Sequence, residues 1–131
     1  MGQQQLLLII LGVIIVGIAI AVGITLFGSS SISSNKDAIV ADINNIAANA
    51  FQYKIRPSTM GGGGGTYGGY KVPVIFQPND NGSYGPISAV SAGAKSFTIT
   101  GDSKPYPGSA ISAVIDSTGV LTSFTYTGEF Q

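Results

Sequence analysis

Ser33 and Lys36 are the residues with the most direct catalytic potential, because they form the SxxK spacing of the Ser–Lys acyl enzymes. In those enzymes the serine is the nucleophile, and the lysine lies within hydrogen-bond distance of it. The companion motifs are absent from this sequence, and 131 residues are too few for that fold. Ser33 also lies in a serine-rich tract, so we interpret the spacing as a coincidence.

Three glycines, Gly63, Gly65 and Gly68, match the GxGxxG pattern that holds dinucleotide phosphates. That chemistry requires a strand before the glycines and a helix after them. Here a helical pattern precedes the glycines and strand-like residues follow them, so the order is reversed. We therefore do not predict dinucleotide binding.

A polar tetrapeptide from Asp80 to Ser83 offers oxygen atoms to a calcium ion and also contains the glycosylation sequon Asn81-Gly82-Ser83. The full spacing of a calcium-binding loop is missing. Asn-Gly is foremost a turn pair. We predict a surface turn here.

Composition excludes several classes of chemistry. The chain has no Cys and no His, which removes thiolate and imidazole metal ligands and the commonest general base. Six basic residues balance six acidic ones, so there is no electrostatic footprint for nucleic acid. We predict a protein that is not an enzyme and binds no cofactor, metal or nucleic acid.

The strongest pattern is an apolar run over residues 6–27, interrupted by three glycines and Thr25, with every charged residue at or after Lys36. Twenty-two helical residues span roughly 33 Å, enough to cross a ~30 Å hydrocarbon core. A secretory signal peptide has a basic start and a shorter apolar stretch, of about 7 to 15 residues. We predict a membrane-spanning helix over residues 1–28.

Residues 36–55 continue as an amphipathic helix, because apolar residues recur at 3–4 spacing along one face. No proline occurs before Pro57, which disfavours helical geometry at Arg56. We predict a single helix over residues 3–55, and we assign residues 29–56 to the segment that carries its amphipathic continuation.

Residues 57–131 are predicted to form a small antiparallel β domain with a glycine-rich loop at residues 61–69. The amphipathic half of the helix is expected to pack on one face of this sheet, which makes the fold class α+β. The predicted strands are residues 70–76, 86–90, 95–100, 110–116 and 120–127.

An uncharged apolar helix, an amphipathic continuation, a loop and a small sheet resemble, in that order, the type IV pilins and their pseudopilin relatives. The run Gln3-Gln4-Gln5 is similar to archaeal-type pilins and other class III signal sequences. The order of parts covers the whole chain, whereas the likeness in sequence covers about the first 55 residues. The resemblance implies cleavage by a prepilin peptidase, membrane insertion, and assembly by pilus machinery into an extracellular filament.

This chain departs from the bacterial pilin pattern at the fifth mature position, where a Glu pairs with a neighbour's α-amino group. Gln5 holds that position if Met1 is the mature start, and Leu7 holds it if cleavage follows Gly2. The helix-kinking proline and the paired cysteines of bacterial pilins are also missing. We carry over the architecture and not the Glu-dependent assembly step.

The expected function is therefore a structural subunit of a type IV pilus-like filament at the cell surface, a homopolymer formed by bundling of the N-terminal helices. The alternative is a single-pass anchored surface or binding protein, including a minor pseudopilin of a secretion system. Gln5 is the predicted N-terminal contact, and Gly61, Gly65, Tyr67 and Tyr70 are the predicted inter-subunit loop, with a freely flexible linker as the alternative. The predicted helix–helix assembly residues are Leu6, Leu7, Ile10, Val13, Ile14, Gly17, Ile18, Ala21 and Ile24.

Overall fold

The computed structural model describes residues 2–131, and the chain begins with one long helix, α1, Gly2–Ile55. This confirms the helix predicted over residues 3–55. Gly28 and the serines after it lower helix propensity but do not interrupt the helix. The helix ends one residue before Arg56, whose helical geometry is disfavoured by Pro57.

Four strands follow and form one antiparallel sheet in the order β1-β2-β3-β4, an up-and-down meander. Together with α1 they give the predicted α+β fold. A register shift between Ser112 and Val114 marks a bulge in the β3–β4 pair, and Ser123 on β4 has a φ of 53°. The strands are β1 Gly82–Gly85, β2 Phe97–Ser103, β3 Ala110–Ile115 and β4 Leu121–Tyr126.

Two of the five predicted strands are wrong. Residues 70–76 and 86–90 are not strands; they are joined by only a few backbone hydrogen bonds, among them Val72 N–H to Pro86 O and Val90 N–H to Tyr70 O. Tyr70 and Val72 point inward while Lys71 is exposed, which produces a strand-like alternation without a strand. Strand β1 was missed because its four residues begin and end with glycine and the first of them, Gly82, lies in the predicted turn.

The chain divides into two compact units, a first unit up to Ser33 and a second unit, Ser34–Gln131. The boundary lies beyond residue 28, and the second unit contains residues 34–55 of α1 together with the whole sheet.

The core of the second unit lies between α1 and one face of the sheet. The apolar helix face predicted from spacing supplies Ile39, Ile43 and Ile46, each fully buried. Gly101 in the middle of β2 permits this packing, because a Cβ there would lie 2.8 Å from the Ile39 side chain. The other buried apolar residues are Ala47, Ala50, Tyr67, Tyr70, Val72, Tyr84, Ile99, Ile111, Ala113, Ile115 and Phe130.

Candidate functional site

The apolar part of α1, residues 6–27, is exposed on every side within the first unit. Its large side chains range from 52% exposed at Leu11 and Val22 to 78% exposed at Phe27. A helix that is apolar all round is stable in water only when something covers it. The apolar surface of α1, residues 6–27, is therefore the candidate functional site.

The predicted assembly residues lie on this surface, and all of them are exposed. Their 3–4 spacing puts them on one side of the helix. Leu8, Ile15 and Val22 lie on the opposite side and are exposed as well. The nine predicted residues are thus one face of a surface that continues around the helix. They are Leu6, Leu7, Ile10, Val13, Ile14, Gly17, Ile18, Ala21 and Ile24.

Four glycines interrupt this helix without any packing reason inside the chain. A Cβ added to Gly12, Gly17, Gly23 or Gly28 would meet nothing within 4 Å. Each glycine costs the helix about 1 kcal/mol relative to alanine. Residues eleven apart lie on nearly the same side of an α-helix, so Gly12 and Gly23 share one side and Gly17 and Gly28 share roughly the opposite one.

The polar residues of this region are compatible with an apolar environment. Thr25 Oγ1 donates a hydrogen bond to the Ala21 carbonyl at 3.0 Å, so the hydroxyl is satisfied within the helix. Gln5 is an exposed residue near the start of α1. The choice of Met1 as the mature start lies outside the described residues, and the role of Gln5 as an N-terminal contact stays a prediction.

The glycine run caps the C-terminal end of α1. The N–H groups of Gly63 and Gly65 donate to the carbonyls of Tyr53 and Lys54, both at 2.8 Å, and Gly64 N–H donates to Arg56 O at 3.0 Å. Carbonyls in the last turn of a helix have no partner within the helix, so this loop supplies the missing donors. The run is therefore neither a free linker nor a segment open along its length to a neighbour.

Glycine is required there for reasons of space as well as conformation. A Cβ on Gly63 would lie 1.8 Å from the Thr66 carbonyl oxygen, and one on Gly62 would lie 2.2 Å from Arg56 O. Gly61 and Gly65 have positive φ values of 77° and 99°, which L side chains rarely adopt.

Tyr67 and Tyr70 were predicted as inter-subunit contacts, and their burial contradicts this. Tyr67 is 0% exposed and Tyr70 is 3% exposed, and both rings pack against Phe97. Tyr67 Oη donates to the Asp116 carbonyl at 2.7 Å, and Tyr70 Oη donates to Asn49 at 3.0 Å. Burial raises the pKa of Tyr70 to about 12. The rings of Tyr67 and Tyr70 therefore pack inside the second unit. Within the predicted loop, an inter-subunit contact remains a prediction for Gly61 and Gly65.

A polar cluster around Asp42 fastens the β1 loop to the helix. Asp42 Oδ2 accepts hydrogen bonds from Tyr84 Oη at 2.5 Å, Asn79 Nδ2 at 2.9 Å and Asn81 Nδ2 at 3.1 Å. Partial burial tends to raise the pKa of the Asp42 carboxyl, but these three hydrogen bonds outweigh burial and lower it. The Asn81 amide of the sequon is thus occupied by Asp42.

A buried asparagine extends this cluster to the sheet. Asn35 is 9% exposed; its amide donates to Asn81 O at 3.2 Å, and its oxygen accepts from Ser103 Oγ at 2.6 Å. Neither Asp42 nor Asn35 was predicted from the sequence as part of a site. The only sign of these two residues in the sequence is that they are polar and lie beside the apolar face of the helix. That pattern does not identify the residues that they contact.

The remaining sequence motifs have structural explanations. Lys36 Nζ donates to Phe130 O at 3.2 Å and lies 4.1 Å from the centre of the Tyr126 ring, so the lysine of the SxxK spacing is bound within its own unit. Asp80 forms an ion pair with Lys104 at 3.9 Å. Over residues 2–131, no group of three His, Cys, Asp or Glu side chains could hold a metal ion.

By length and composition α1 is able to cross a membrane, a test that an N-terminal signal sequence also passes. Comparison of the chain with protein families, with curated proteins and with solved structures finds no match.

Proposed function

We propose that this protein is a structural subunit of an extracellular, type IV pilus-like filament, whose core is a bundle of the helices formed by residues 6–27. In this proposal the same helix first holds the subunit in the cytoplasmic membrane. A prepilin peptidase and pilus assembly machinery, implied by the resemblance to pilins, would process and assemble the chain.

The observation that carries the proposal is the exposure of the apolar surface all round α1. Covering residues 6–27 with neighbouring copies removes on the order of 1,500 Å² of apolar surface per subunit from water or lipid. At about 25 cal/mol per Å² this amounts to tens of kcal/mol relative to water, before the entropy cost of association. Nothing inside the first unit supplies this cover.

Two further features favour a filament over a simple membrane anchor. A tether needs only about 20 apolar residues, whereas α1 continues to Ile55 without a break. The four glycines weaken a helix that needs no small residues for its own packing, while close helix–helix contacts do need them. A single-pass anchored surface protein, or a minor pseudopilin of a secretion system, is the second candidate, since it would use the same helix.

The direct test is electron microscopy of filaments sheared from the source cells, with mass spectrometry of the N-terminal peptide. We expect filaments that contain this chain and are lost in the variant Ile15→Asp. A carboxylate at the centre of a packed apolar bundle costs several kcal/mol and has no partner there. The matched control is Thr98→Asp, which adds the same charge at an exposed position of β2.

The two candidate functions give different results in this test. Wild-type chain confined to the membrane fraction, with no filament that contains it, would support the anchored surface protein. Normal filament yield from Ile15→Asp would show that residues 6–27 do not form the filament core.

A further inference from the structure

The charged residues of the second unit are separated by sign between its two ends. Near the C-terminal end of α1 lie four basic residues and one acidic residue, while near residues 34–42 lie two basic and five acidic ones. We call these regions the positive end and the negative end. The positive end comprises Lys54, Arg56, Lys71, Lys95 and Asp116. The negative end comprises Lys36, Lys104, Asp37, Asp42, Asp80, Asp102 and Glu129.

Contacts place each member of the positive end. Arg56 and Lys71 line the same surface depression of about 310 Å³, together with Tyr53 and Tyr70. Lys54 Nζ donates to the carbonyl of Ser117, beside Asp116. Lys95 follows Ala94, whose carbonyl accepts the Tyr67 N–H, so Lys95 lies at the same end of the sheet.

Contacts also place the negative end. Asp102 pairs with Ser83 and Ala110 at the far end of β2, and Lys104 N–H donates to Asn81 O beside Asp80. Glu129 N–H donates to Ser109 Oγ. The carbonyl oxygen of the next residue, Phe130, accepts a hydrogen bond from Lys36 Nζ. Asp37 lies next to Lys36 on the helix and is exposed.

The two ends cannot neutralise each other within one unit. Lys36 lies in α1 and Arg56 directly follows the end of that helix, so the two are separated by roughly 28 Å of helix at 1.5 Å per residue. Exposed charges this far apart are screened, because the Debye length is about 8 Å at physiological salt. Over residues 2–131 the one ion pair is Lys104–Asp80, within the negative end, so it does not reduce the net charge of either end.

A second copy of this chain is the partner that matches both ends. The positive end has a net charge of three and the negative end has the same net charge with opposite sign, counted from the side chains above. An anionic lipid surface would explain the positive end but would leave the net negative charge of the other end, including the exposed carboxylates Asp37 and Glu129, without a counterpart. Contact between the positive end of one copy and the negative end of another pairs the charges of both ends.

We propose that the positive end of each subunit contacts the negative end of the next subunit along the filament. The depression lined by Arg56 and Lys71 receives the exposed carboxylates Asp37 and Glu129 of that neighbour. This inference rests on the proposed function, and it adds the contact that sets the order of successive sheet domains outside the helical core.

Charge reversal at each end, followed by their combination, tests this contact in cells that assemble filaments. The variants are Arg56→Glu with Lys71→Glu, then Asp37→Lys with Glu129→Lys, and finally all four changes together. We expect each single-end reversal to lower the amount of filament pelleted by about tenfold or more, because like charges then face each other. The fourfold variant restores opposite signs and should recover most of the loss.

The controls separate folding and lipid binding from assembly. Each variant is checked for protein level in the membrane and for protease resistance of its sheet domain, and Thr98→Glu with Thr100→Glu serves as a charge change on the outer sheet face. Filaments unaffected by single-end reversal would overturn the inference, as would a fourfold variant that recovers nothing. Reduced binding of the first variant to anionic phosphatidylglycerol vesicles, with unchanged filaments, would assign the positive end to lipid. Wild-type cells without filaments would instead overturn the proposed function itself.

Discussion

Asp42 shows how a single carboxylate can position a loop that has little regular structure. Its partners Asn79, Asn81 and Tyr84 lie 37, 39 and 42 positions further along the chain. Hydrogen bonds to a charged group contribute roughly 1.5–3 kcal/mol each at most, with less where water competes. Asp42 is half-buried, so its contribution lies toward the lower part of that range.

The lowered pKa of Asp42 predicts the direction of a pH effect. Since its pKa is lower in the folded chain than in the unfolded one, the stabilisation is complete above the unfolded value of about 3.9 and is lost as pH falls below it. We expect Asp42→Asn to destabilise the sheet domain by about 1–2 kcal/mol at pH 7. The difference from wild type should shrink at pH 3.

Calorimetric melting of the full chain in detergent micelles, at pH 7, 5 and 3, measures this effect. Asp37→Asn is the matched control, since Asp37 is exposed and its change should leave the melting temperature nearly unaltered. A constant difference between Asp42→Asn and wild type from pH 7 to pH 3 would contradict the assignment.

Two glycines of the capping loop are expected to respond differently to alanine. Gly63→Ala places a Cβ 1.8 Å from a backbone oxygen, so the loop must move and the caps on Tyr53 and Lys54 are lost. Gly61→Ala meets no atom and suffers only from its positive φ, a cost of about 1–2 kcal/mol. Urea unfolding should therefore show Gly63→Ala to be the less stable variant by more than about 1 kcal/mol. Equal stabilities would mean that the loop does not act as a cap.

The glycines of α1 provide a test of close helix contact. Gly17→Leu should improve helix propensity and membrane insertion, yet reduce filament yield severalfold, because the added side chain keeps a neighbouring helix away. The control Ile18→Leu conserves volume and should assemble normally. Filament yield and membrane-fraction abundance, measured together, separate assembly from insertion. Normal assembly of Gly17→Leu would exclude a close contact at this position.

Elements with a strong internal period were predictable from the sequence. Residues 34–55 of α1 and the strands β2 and β3 were found within a few residues, because a buried face repeats along each of them. Strand β4 was also found, although none of its residues is buried. Residues 70–76 repeat with a period of two for another reason, since Tyr70 and Val72 anchor a loop in the core. Periodicity reports burial, and it cannot tell a strand from an extended loop that is buried on one side.

At the scale of the whole molecule, the sequence showed the apolar site but not how the charges are distributed. The apolar site is one continuous stretch, residues 6–27, so it can be recognised from the order of residues alone. The two ends of the second unit gather residues from across residues 36–129, and only the fold brings them together. A formal net charge of zero therefore conceals a second unit whose two ends carry opposite net charge.

The burial of tyrosines has an optical consequence. All six tyrosines lie at or after Tyr53, and the chain has no tryptophan, so its tyrosine emission comes from the second unit alone. Tyr84 donates its hydroxyl to the Asp42 carboxylate, an arrangement that quenches tyrosine emission. We expect release of this contact to increase tyrosine emission, to which residues 6–27 contribute nothing because they contain no tyrosine. Tyr84 is thus an intrinsic fluorophore whose emission is expected to report the state of the sheet domain in the full chain.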